Sequence, residues 1–113
     1  MPETVQLRIR IRALQNRRRA LESKLLQPQE MIAASLLERF LGSGSRRRAS
    51  PSYYLSRSQQ GSSKLSYVKQ QELELVRRQC QAYGEFRENL AEWRQLSREL
   101  KGLFQRLLAA QAR

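Results

Sequence analysis

The chain has 113 residues, enough for one domain at most. Lys and Arg number 22 against 10 Asp and Glu, with no His, so the formal net charge is +12. One cysteine excludes an intrachain disulfide, the lack of histidine essentially excludes a tetrahedral zinc centre, and no apolar run is long enough to span a bilayer or form a signal-peptide core.

Residues 3–27 place Leu7, Ile11, Leu14, Leu21 and Leu25 at spacings of four, three, seven and four. This is an a/d heptad seam with Arg18 in the missing position, and it predicts a helix. Val5 to Ile11 also alternates as a half-buried strand would. Helix is preferred, because the heptad continues beyond Ile11 without a turn residue. On that helix Arg8, Arg12 and Arg19 share one exposed flank, and Arg10 and Arg17 share another. The consecutive Arg17, Arg18 and Arg19 spread around the axis, so some must be solvated or paired with glutamates of the last helix.

Pro28 breaks the pattern, since a proline pushes the residue before it out of the α region. Ile32, Leu36, Leu37, Phe40 and Leu41 then predict a second, shorter helix over Gln29–Leu41, with Gly42 as its C-terminal cap.

The segment Gly42–Lys69 holds six basic residues and no acidic one. It contains the triplet Arg46-Arg47-Arg48 in a Gly/Ser setting, and then two short runs rich in Tyr and Ser, 52–57 and 62–68, around a turn-like Gln59-Gln60-Gly61. These predict a two-stranded hairpin. Tyr53 and Tyr54 would face opposite sides of their strand.

Residues 70–112 form the clearest predicted helix. Leu73, Val76, Cys80 and Tyr83 begin its seam, and Leu90, Trp93, Leu96, Leu100, Leu103 and Leu107 continue it, with Gly84 as a weak point. Cys80 reads as a small apolar residue on this seam.

The expected fold is therefore mainly α. A single domain, 1–113, would form an antiparallel long helical hairpin or coiled coil. Helices within 3–41 would pack on the long helix 70–112. The basic loop and a small two-stranded β-hairpin, 42–69, would lie at the tip. Leftover apolar stripes allow a homodimer.

Catalysis has no support. No histidine offers a general base, and Glu72, Glu74, Glu85, Glu88, Glu92 and Glu99 read as helix-surface ion-pair partners. Neither a metal site nor a cofactor is expected.

Eighteen of the 22 basic residues are arginine, whose planar fork pairs with phosphate and stacks on bases. The expected function is non-enzymatic nucleic-acid binding, to DNA or RNA. The candidate contacts are Arg46, Arg47, Arg48, Tyr53, Tyr54, Arg57, Lys64, Tyr67 and Lys69, with Arg8, Arg12 and Arg19 of the first helix. The alternative is a coiled-coil adaptor meeting an acidic protein. A cytoplasmic location, without membrane attachment, is expected.

Three stretches carry a resemblance: Ala34-Ser35-Leu36-Leu37-Glu38-Arg39-Phe40, Pro51-Ser52-Tyr53-Tyr54-Leu55-Ser56-Arg57 and Ser66-Tyr67-Val68. From Met31 to Val68 the chain resembles a family of small bacterial and phage proteins often encoded near mobile elements. Their pattern joins a Gly-Ser-Leu-x-Glu-Arg-Tyr-like helix end to a cysteine-bearing loop. A Tyr-Tyr-Leu strand, a strand ending in Tyr-Val and a leucine-rich helix follow. The resemblance implies a subunit of a mobile-element or defence nucleoprotein complex, working with a larger protein. Where that pattern has metal-binding cysteines, this chain has Gly42-Ser43-Gly44-Ser45-Arg46-Arg47-Arg48, so the family's loop chemistry does not carry over.

Overall fold

A computed structural model describes residues 2–42, 44 and 49–113. In chain order the elements are helix α1 (Glu3–Leu25), strands β1 (Ser35–Arg39), β2 (Ser52–Gln59) and β3 (Ser62–Val68), a 3-10 turn (Gln70–Glu72) and helix α2 (Leu73–Gln111). Two units divide the chain. One is the chain up to Pro28 with Phe86–Arg113; the other is Gln29–Glu85.

The first unit is a helix pair. Its core is Ile11, Leu14 and Leu21 of α1 against Leu96 and Leu100 of α2, with Trp93, Leu103 and Leu107 packed at the margin. The buried residues of α1 are the seam residues Leu7, Ile11, Leu14 and Leu21. Burying one face of each helix is what stabilises them, because helix propensity alone is marginal in water. Glu3 meets Arg106, Arg10 meets Glu99 and Arg17 meets Glu92. Each step of seven up α1 is matched by a step of seven down α2, so the helices run antiparallel in a single register.

The second unit holds an antiparallel sheet in the order β1-β2-β3. β2 and β3 are joined by Gln60 and Gly61, with φ of 50° and 83°. Two successive positive φ values define the turn that matches the natural strand twist, and glycine takes the second without strain. Ser62 Oγ donates to the Gln59 carbonyl at 3.1 Å, across the base of the turn.

The expected fold class needs correction here. The sheet has three strands, not two, and the predicted helix over 29–41 is absent. Ser35–Arg39 instead pairs with β2, Leu36 opposite Leu55 and Leu37 opposite Tyr54. Before that strand, the Ile32 amide donates to the Gln79 carbonyl of α2 at 3.1 Å. On a helix Leu36 and Leu37 could both border one wide apolar stripe, but in a strand they point to opposite faces of the sheet. Gly42 does take a left-handed φ of 89°, yet it follows a strand rather than capping a helix. The helical hairpin with a two-stranded insert thus gives way to two helices and a three-stranded sheet. α2 continues unbroken through Gly84.

Candidate nucleic-acid interface

The helix pair has two chemically different flanks. The first carries the heptad ladder of ion pairs. Arg17 Nε and Nη2 donate to the two Glu92 carboxylate oxygens at 2.6 and 2.9 Å. This two-pronged hydrogen bond, then the favourable charge, holds the Glu92 carboxyl below its ordinary range and raises Arg17. The ladder is solvent-exposed, so each pair adds little stability, but the shared step of seven selects the register.

The sign of the Glu92 shift sets a pH dependence. A depressed carboxyl stabilises the fold above its unfolded value, and that contribution disappears as pH falls through the folded value. Wild type should therefore lose more stability on acidification than Glu92→Gln does. Urea midpoints measured from neutral pH down through and below the carboxylate range check this, and parallel curves for the two proteins would refute it.

The second flank is marked by Arg8, which donates to the Gln111 side chain. Stepping back by sevens from Gln111 on α2 gives Phe104, Ser97 and Leu90, and Lys101 and Arg94 lie three or four residues from these on the same side. On α1, Arg8, Arg12 and Arg19 form one stripe with i, i+4 and i+11 spacing, all exposed. The carboxylates Glu3, Glu92 and Glu99 are drawn to the opposite flank by the ladder. Glu22 accepts from Trp93 Nε1 at 3.2 Å. The flank bearing Arg8, Arg12 and Arg19 is thus the cationic one. Beside Arg19 it also carries a shallow, mainly apolar groove lined by Leu25, Leu26, Phe86, Leu90 and Trp93, with Glu22 and Ser23 at its wall.

In the sheet unit, Tyr53 and Tyr54 separate. Tyr53 faces α2, where the Arg77 guanidinium lies 5.5 Å from its ring centroid, and Val68, its register partner, is buried. Arg77 also pairs with Glu74 at 3.7 Å. Tyr54 lies on the other face, opposite Tyr67, with ring centroids 5.7 Å apart in an edge-on arrangement. Arg39 sits 5.9 Å from the Tyr54 centroid.

Arg57 and Lys64 are direct register partners on the α2-facing side, and both are exposed. Like charges opposite one another disfavour the sheet and suit an anion. Burial pushes the Cys80 thiol up, and Arg57 opposes this. Lys69 is exposed just before the 3-10 turn. The Arg46-Arg47-Arg48 triplet lies outside the described residues.

Arg39 was missed by the sequence reading, since the helix expected over 29–41 gave it no aromatic neighbour. Among the described residues no group of three or more His, Cys, Asp or Glu could hold a metal ion. None of their helices is long and apolar enough to cross a membrane.

No family model, curated protein or solved structure matches the chain.

Proposed function

We propose that this protein binds nucleic acid without enzymatic activity, as an accessory subunit of a nucleoprotein complex. The observation that carries the reading is the segregation of charge on the helix pair. One flank is neutralised by its own heptad ion pairs, while Arg8, Arg12 and Arg19 are exposed together on the other. Three aligned guanidinium groups suit a phosphate track, and the +12 net charge favours approach to a polyanion. A mobile-element or defence setting is what the sequence resemblance adds to this.

The test is affinity against salt concentration, for labelled single strands and duplexes. Three phosphate contacts alone contribute a log–log slope of about −2 to −3. The expected slope is at least that steep, and a flat dependence or no binding at low salt rejects the proposal.

The apolar groove beside Arg19 favours a second reading, in which an acidic amphipathic helix of a partner protein docks there. Its acidic face would meet Arg19 while its apolar face covers Leu26, Leu90 and Trp93. Leu26→Ser, which removes apolar surface without adding charge beside Arg19, should then abolish capture of the partner and leave nucleic-acid affinity intact.

A further inference from the structure

We infer that the sheet face bearing Tyr54 and Tyr67 is a stacking platform for unpaired bases, so that the chain prefers single strands over duplexes. This rests on the nucleic-acid reading above and adds a site in the other unit of the chain.

The register fixes which side chains share this face. Directly opposite residues on antiparallel strands point the same way, so Leu37, Tyr54 and Tyr67 form one row across the sheet. Arg39 with Ser52 forms the row on one side of it, and Ser35, Ser56 and Leu65 the row on the other. Among the described strand residues no carboxylate belongs to this face, because Glu38 pairs with Tyr53 on the α2-facing side.

The two faces differ most at the end of β3. Val68 is buried at 5 % relative exposure, while its neighbour Tyr67 stands 64 % exposed. Leu65, two residues earlier on the same side, is also exposed. A tyrosine pair with one exposed ring, flanked on a small sheet by serine hydroxyls and one guanidinium, has the features that recognise nucleic-acid bases. The rings supply π faces that every base can stack on, the hydroxyls supply donors and acceptors to base edges, and Arg39 supplies charge for the phosphates.

The geometry also assigns roles. Tyr54 is half-buried, with the Arg39 guanidinium over its ring at 5.9 Å and Tyr67 beside it in a T-shaped arrangement. It is the supporting ring. Tyr67 offers the free surface, so a base would stack on Tyr67 first. Tyr53 is engaged with Arg77 on the opposite face and takes no part. A duplex keeps its bases stacked internally and cannot lay them on a sheet, so it gains nothing from this row.

The test is fluorescence anisotropy with labelled oligo(dT), oligo(U) and a duplex of equal length, on the full chain. Tyr67→Ala should weaken single-strand binding on the order of 10-fold to 100-fold, with duplex binding unchanged. Tyr67→Phe, which keeps the ring, should bind as wild type, and Tyr53→Phe should be silent. Tighter binding of oligo(U) or of oligo(dT) identifies RNA or DNA as the natural strand.

If Tyr67→Ala compromises folding by circular dichroism, photo-crosslinking of a 5-iodouracil strand to wild type replaces it. The expected adduct is on Tyr67, and one mapped only to the helix pair rejects the platform. Single-strand affinity untouched by Tyr67→Ala, with wild-type binding intact, overturns the platform alone. Absence of binding to every probe overturns the underlying nucleic-acid reading as well.

Discussion

Leu21→Ala should unfold the helix pair at a much lower urea concentration than wild type. Leu21 is fully buried, at 0 % exposure, within the cluster of Ile11, Leu14, Leu96 and Leu100. Removing its branched end leaves a cavity that neighbours fill only partly, and such truncations cost about 2–5 kcal/mol. Two helices with a one-sided core hold little stability in reserve, because a small unit buries a small fraction of its surface. A loss of that size is comparable with the whole folding free energy of a small domain, about 5 kcal/mol at the low end. Trp93 packs against this cluster, so its fluorescence reports this unit, and far-ultraviolet circular dichroism reports helix content. Leu26→Ala is the control. Leu26 is 81 % exposed, and its truncation should move the midpoint little. A Leu21→Ala midpoint equal to wild type would show that the α1–α2 seam does not hold this unit together.

Replacing Arg8, Arg12 and Arg19 together with Gln should weaken nucleic-acid binding on the order of 100-fold at moderate salt and flatten the salt slope by about 2–3. The pair Arg10→Gln with Arg17→Gln removes nearly as much charge from the same helix. Those two arginines already face Glu99 and Glu92, and an arginine neutralised within the protein releases no counterions from a phosphate. The double variant should therefore keep most of its affinity and slope, and lose instead part of the register selection that the ladder supplies. The contrast separates a located interface from generic attraction. Equal losses in both variants, scaled only by charge removed, would mean that net charge rather than the Arg8 flank governs binding.

The sequence carried the helix pair well and the sheet only in part. The seam at Leu7, Ile11, Leu14 and Leu21 is the buried face of α1, because the heptad period and the helix period nearly coincide and the apolar stripe must be covered. The turn at Gln60-Gly61 was legible for a similarly local reason, since glycine relieves the strain of positive φ. The separation of Tyr53 from Tyr54 follows from the strand repeat of two. The segment Gln29–Leu41 was misread. Its apolar spacing suits a helix, but it is short, and strand pairing with β2 outweighs local preference there.

For the candidate site, the stripe Arg8, Arg12 and Arg19 could be read from spacing alone. Which stripe is neutralised could not, because nothing local shows that the Arg17 flank, and not the Arg19 flank, faces Glu92 across the pair. Nor could the sequence show that Tyr54, Tyr67 and Arg39 meet. They come from three strands separated along the chain, and only register brings them together. The sequence by itself determined periodicity, turn chemistry and the excess of arginine, since each depends on residues a few positions apart. The tertiary structure decided the third strand, the flank left cationic and the aromatic row, since these depend on hydrogen bonds and charges brought together across tens of residues, which local spacing does not encode.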